Sequence, residues 1–219
     1  MIVFASAYDE ATRANHAVAE RVRSEEDVFL GAEEATGENL HRALLEHDDP
    51  LFAMSHGLDD TIRAQGHDNM PPALATDGNS LSALKGRSVF AHACLTGRRL
   101  GRAASECGSV WWGYDVKVNA PEDDPLLLPV FVEVFSFVKC SFGTARSEEE
   151  VDQFFHELYE RCEGALERLY AIEQDDGAEV PMGAHQCLIQ IQQDLLVWTP
   201  GSDEPRFAPH QRGKRRLRL

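Results

Sequence analysis

Short runs that are apolar at nearly every position constrain this chain more than any other feature. Ile2–Ala7, Val28–Leu30, Leu51–Ser55, Val89–Ala93 and Val110–Tyr114 are too short for helices and show no regular alternation of apolar with polar residues. Strands of this kind must be covered on both faces, as happens in parallel sheets with helices above and below. The intervening segments supply those helices. Ala11, Ala14, Val18 and Val22 share one face of a helix over 9–23, and Leu40, Ala43, Leu44 and His47 recur at three-four spacing. Leu100, Ala103, Ala104 and Cys107 mark another helix, with Gly108 placed to end it. Strands alternating with helices at this pitch predict an α/β fold, a mostly parallel central sheet flanked by helices in three layers.

The second half of the chain is more helical. Leu126–Phe142 follows Pro125 and reads as a buried helix, too long for a strand. Ser147 and Glu150 form a capping box ahead of Val151, Phe154, Phe155, Leu158, Cys162, Ala165, Leu166 and Leu169, the firmest helix in the sequence. Gln186–Trp198 reads as a last helix, with Leu188, Ile191, Leu195 and Trp198 in register. The 219 residues, 43% hydrophobic, suffice for one substantial core. The organisation expected is one domain over 1–198 and an irregular basic tail over 199–219, finishing Arg212-Gly213-Lys214-Arg215-Arg216-Leu217-Arg218-Leu219. Residues 56–88 lack periodicity and read as a long loop overhanging the sheet, either functional or mobile.

Several function classes are excluded by composition. A net charge of −16 argues against nucleic acid as a direct partner, because phosphate backbones demand a basic surface. No apolar run approaches membrane-spanning length, and Met1–Ala7 lacks the basic leader and length of a secretory signal. Five cysteines without a Cys-x-x-Cys pair suit free thiols in a reducing cytoplasm. Cys107, Cys140, Cys162 and Cys187 are expected as buried free thiols, and Trp111, Trp112 and Trp198 as core. The acidic runs Glu122–Asp124, Glu148–Asp152 and Glu173–Glu179 read as solvated faces.

Chemistry concentrates where two of the apolar runs stop. Leu51–Ser55 is followed by His56-Gly57, and Val89–Ala93 by Cys94-Leu95-Thr96-Gly97. In an open parallel sheet the carboxyl ends of neighbouring strands share a crevice, so adjacent strands here bring an imidazole beside a thiol. That pair is the minimum equipment of a cysteine hydrolase. The attacking species is the thiolate, favoured by the start of a following helix and by Arg98 and Arg99. His56 then serves as base and later as acid. Gly57, having no side chain, can bring its N–H to a substrate carbonyl, and with the N–H of Cys94 would form an oxyanion hole. Two other readings compete. Zinc could be held by His92, Cys94, His56 and His67, although no Cys-x-x-Cys or His-Glu-x-x-His frame is present. A cysteine phosphatase is suggested by His92, Cys94, Arg98 and Arg99, but the arginine spacing and the single glycine do not fit the cradle it needs.

Met54-Ser55-His56-Gly57 followed by Ala91-His92-Ala93-Cys94-Leu95-Thr96-Gly97 resembles the caspase-like cysteine peptidases, the clan of caspases, metacaspases, separase, gingipains and CHAT-domain proteases. Leu100-Gly101-Arg102-Ala103-Ala104 and the stretch Gly108 to Gly113 are most similar to the CHAT branch, and the likeness spans about residues 1–170. It implies a three-layer caspase-like fold, Cys94 as nucleophile, His56 as general base and the Gly57 and Cys94 amides as oxyanion hole. It implies a peptide or protein substrate, no cofactor and no metal, and a protein partner that delivers substrate or activates, in responses such as bacterial defence or cell death. The match departs from true caspases, whose Gln-Ala-Cys-x-Gly has its glycine one position earlier and its histidine about 50 residues upstream. Here that interval is 38 residues, so preference for Asp is not carried over. Metacaspases place an acid two residues before the cysteine to hold a basic side chain; this chain has His92 there. Asp9, His92 and Asp115 are the candidate substrate-binding residues, the two acids being suited to a basic residue before the cut bond. The alternative is a caspase-fold scaffold without catalysis, since a fold does not guarantee its chemistry.

Overall fold

The computed structural model describes residues 1–66, 71–175 and 177–209. The apolar runs form the strands β1 (Ile2–Ala5), β2 (Val28–Gly31), β3 (Leu51–Met54), β6 (Ser88–His92) and β7 (Val110–Tyr114) of a seven-stranded sheet. Its order is β2-β1-β3-β6-β7-β8-β9, completed by β8 (Leu195–Trp198) and β9 (Arg206–Phe207). The first five strands are mutually parallel, while β8 runs antiparallel to β7 and β9 antiparallel to β8. A small hairpin of β4 (Thr61–Ile62) and β5 (Leu74–Ala75) stands outside this sheet.

The helices fall into two layers because alternate strand residues face opposite ways. Val3, Phe52, Phe90, Trp112 and Tyr114 pack with residues of α1 (Glu10–Val22), α5 (Leu128–Ser141), α6 (Glu148–Asp175) and α7 (Met182–Asp194). Ile2, Phe4, Leu51, Ala53, Val89, Ala91 and Trp111 pack with residues of α2 (Gly37–Glu46), α3 (Gly78–Ser82) and α4 (Arg99–Glu106). On the first face an aromatic cluster fills the centre, with Phe52 stacked on Phe90 at 5.3 Å and Phe135 and Phe142 set against both rings. The three tryptophans are buried as expected. No described helix is long and apolar enough to cross a membrane.

The helix expected over Leu126–Phe142 is α5, Leu128–Ser141, and the capping box before α6 is present, Ser147 N–H donating to Glu150 Oε2 at 2.8 Å and Glu150 N–H to Ser147 Oγ at 3.3 Å. The expected helix over Gln186–Trp198 is corrected. It ends at Asp194, and Leu195–Trp198 is a strand pairing Trp198 with Trp111 and Leu195 with Tyr114. Helical period accounts for burying Leu195 and Trp198, but Leu196 and Val197 are fully buried too, as in a strand covered on both faces. The stretch after Thr199, read as irregular, contains β9. Its last ten residues, 210–219, lie outside the described set. The supposed loop over 56–88 holds the β4–β5 hairpin and α3, whose first turn is capped by the Asp77 side chain accepting from Ser80 N–H at 2.8 Å. Cys162 and Cys187 are buried, whereas Cys140 is exposed and Cys107 half-buried, against expectation. Cys140 falls on the outer face of α5.

Phe90 joins the aromatic cluster to the strand that leads into Cys94. Truncating it in Phe90→Ala should cost about 3–5 kcal/mol, read as a lowered midpoint in urea unfolding.

Candidate active site

Parallel pairing sets the level of the site. Leu51, Phe52, Ala53 and Met54 of β3 stand opposite Val89, Phe90, Ala91 and His92 of β6, and Ser55 N–H donates to His92 O at 3.2 Å. Two residues beyond the last pair, in the loops that leave the strands, come His56 after β3 and Cys94 after β6. Their loops are then tied together: Leu100 N–H donates to Asp59 O at 2.8 Å, and Arg99 lies 3.9 Å from Asp59 and 3.6 Å from Asp60. A side chain on Gly57 would place its Cβ 2.6 Å from Cys94 O and 2.7 Å from Thr96 Cγ2, so only glycine allows this approach. The N–H groups of Gly57 and Cys94 make no hydrogen bond among the described residues, leaving both available to an incoming oxygen. Just past the cysteine, Leu95 adopts φ +64, left-handed backbone that costs a side-chain-bearing residue roughly 1–2 kcal/mol. Its N–H donates to Val116 O at 3.0 Å, which holds the sharp exit from the strand in place.

His56 is oriented by a carboxylate. Its Nε2 lies 2.6 Å from Oδ2 of Asp9, and the edge of Tyr8 meets its ring at 5.7 Å. Asp9 is the N-cap of α1: Oδ1 accepts from Thr12 N–H at 2.9 Å and from Thr12 Oγ1 at 2.7 Å, and Thr12 Oγ1 in turn accepts from Asp9 N–H. Partial burial opposes the charge on Asp9, but the Thr12 and His56 hydrogen bonds outweigh it and hold its carboxyl below the ordinary value. Nδ1 of His56 makes no hydrogen bond among the described residues. Asp9, expected to grip substrate, therefore has its carboxylate committed to Thr12 and His56. The sequence carried one usable signal, an Asp-x-x-Thr capping pattern at the end of β1, level with the other two strand ends.

The thiol of Cys94 sits against the connection from β7 to α5. Val118 N–H donates to Sγ at 3.3 Å, and Sγ–H faces Val118 O at 3.6 Å. No hydrogen bond joins the thiol to His56 among the described residues. The helix that follows the cysteine begins at Arg99. Arg98 turns its Nε to Asp115 O at 2.8 Å, so the nearest fixed dipole on the sulfur is the Val118 amide. Nothing in the sequence marks Val118, which acts through its backbone alone.

His92 and Asp115 take other places than those expected. His92 is 1% exposed, inside the core between Phe135 and Tyr114. Its Nε2–H donates to Asn119 O at 3.1 Å and its Nδ1 faces the Tyr114 hydroxyl at 3.3 Å, so the ring is neutral and closed to substrate. Strand alternation explains this: His92 follows Phe90 by two and shares its face. Asp115 is 4% exposed, which corrects its placement as an open pocket acid. Among the described residues no three His, Cys, Asp or Glu side chains converge in a way that could hold a metal ion, and His67 lies outside those residues.

A cleft of about 430 Å³ is lined by Asp9, Glu10, Asn119, Pro121, Glu122 and Asp123 among others. Burial, together with the neighbouring charges of Asp123, Glu10 and Asp124, raises the Glu122 carboxyl above its ordinary value. Comparison with protein-family models, with curated proteins and with solved structures finds no match to this chain.

Burial pushes the His92 imidazole from 6.5 down to about 4, against the smaller effect of its bond to Asn119. The unfolded chain thus takes up a proton here before the folded one does. This contribution to stability is complete above about pH 6.5 and is lost progressively as the pH falls towards 4, on the order of 3 kcal/mol in all. Urea unfolding at pH 7 and pH 4.5 should show a smaller acid loss for His92→Gln than for the natural chain.

Proposed function

We propose that this chain is a cysteine endopeptidase of the caspase-like type, nearest to the CHAT branch. The observation that carries the reading is the placement of His56 and Cys94 two residues past the last paired residues of adjacent parallel strands, with two amides left without acceptors beside them. Cys94 is the nucleophile. His56, held through Nε2 by Asp9, uses Nδ1 to take the thiol proton once the sulfur leaves Val118 O. Sulfur attacks the peptide carbonyl, and the Gly57 and Cys94 N–H groups receive the oxyanion. The amine leaves with the proton from His56, and water, deprotonated by the same ring, releases the acid from the thioester. The constellation is thereby extended from a pair to a triad, with Asp9 as the group that fixes the ring.

The acidic cleft that Asp9 helps to line supports a preference for a basic residue near the bond that is cut, through charge-assisted hydrogen bonds. Its acids Glu10, Glu122 and Asp123 take the role first assigned to Asp115. The strongly acidic surface suits a protein partner that delivers substrate. A second reading, a caspase-fold scaffold without catalysis, draws on the thiol being bonded to Val118 in place of His56.

Digestion of a peptide library separates the two. Cleavage by the natural chain that disappears in Cys94→Ala supports the peptidase, and equal patterns from both proteins leave the scaffold. The residue before each cut reports the preference, with Arg and Lys expected. In Asp9→Asn, kcat should fall about a hundredfold with KM little changed; a rise in KM confined to basic substrates would instead return Asp9 to substrate binding.

A further inference from the structure

The segment that touches the candidate nucleophile is itself held from outside. Gln190 on α7 accepts from Asn119 N–H through Oε1 at 2.7 Å and donates from Nε2 to Lys117 O at 3.0 Å. One turn earlier, Gln186 Oε1 accepts from Asn119 Nδ2 at 2.7 Å. A single side-chain amide thus brackets Val118, engaging the backbone on either side as a neighbouring strand would. From the opposite side, buried His92 donates to Asn119 O. Between these anchors lie the Val118 N–H and O that meet Sγ of Cys94.

We propose that Gln190, assisted by Gln186, is a positioning residue for the nucleophile: it fixes the Val118 N–H on Cys94 Sγ, where that donor stabilises the thiolate. This rests on Cys94 being the nucleophile of the peptidase reading above. A backbone N–H aimed at sulfur favours the anion, because hydrogen bonds to charged acceptors are stronger than those to neutral ones. The Lys117 side chain is exposed to solvent, and the other charged or titratable groups nearest the sulfur are engaged elsewhere. His56 is on Asp9, the His92 ring is neutral on Asn119 O, Arg98 is on Asp115 O, and Arg99 is on Asp59 and Asp60. The Val118 amide is therefore the fixed donor to the sulfur, and Gln190 is what fixes it.

The test reads the thiol directly and does not require cleavage. The full chain is alkylated with iodoacetamide across a pH series, and adducts at Cys94 and at exposed Cys140 are resolved by peptide mass mapping. In Gln190→Leu, alkylation of Cys94 at neutral pH should slow about tenfold, with its profile displaced to more alkaline pH. Cys140 in the same sample should not change. Gln186→Leu, at an exposed position, should slow Cys94 two- to threefold, and it decides the matter if Gln190→Leu does not fold. A Cys94 profile equal to that of the natural chain in the folded variant overturns the proposal. Where the natural chain cuts no peptide but Cys94 still responds to Gln190→Leu, the clamp stands and the peptidase reading falls. Where it does cut, Gln190→Leu should lower kcat and leave KM unchanged.

Discussion

The parallel pairing of β3 with β6 is the constraint on which the site depends. A slip of either strand by one residue would turn its phenylalanine, Phe52 or Phe90, out of the aromatic cluster and move that strand's side chains to the opposite faces. The core therefore locks the register, and the register in turn aligns the strand ends that lead to His56 and Cys94. Gly57 is a consequence of the same closeness, because at 2.6 Å from Cys94 O there is no room for a methyl group. Core and candidate chemistry are two readings of one alignment.

Around that alignment the site gathers parts from distant sequence. Asp9 arrives at the end of β1 and caps α1 while holding His56, so one carboxylate both starts a helix and orients the ring. Val118 comes from the connection after β7, and Gln186 and Gln190 reach it from α7, about seventy residues further on. None of these contacts is close in sequence, and all converge at the carboxyl ends of the strands, where open α/β sheets bind their ligands.

Much of this was legible in the residues and some was not, for physical reasons. Strands hidden on both faces announce themselves as unbroken apolar runs, so the parallel sheet and the His56 and Cys94 strand ends could be read directly. Leu195–Trp198 misled because Leu188, Ile191, Leu195 and Trp198 also satisfy a helical period, and the choice was made by pairing with Trp111–Tyr114, a long-range event. His92 misled through its closeness to Cys94 in sequence; alternation with Phe90 already assigned it to the core. Asp9 was noticed as an acid at a strand end, but which group it would face depended on how α1 and β3 sit together. Val118 acts through its backbone, Gln190 through backbone partners and Gln186 through the Asn119 side chain, contacts that leave no mark in composition or spacing.

The late position of α7 and β8 has a consequence for synthesis. The first five strands are complete by Tyr114, and with them both His56 and Cys94, yet the segment that holds the thiol acquires its outer anchor only when residues beyond 180 have been made. Since chains emerge from their N-terminus and fold as they grow, His56 and Cys94 are present before Gln186 and Gln190, whose hydrogen bonds to 117–119 are the last contacts of this site to form.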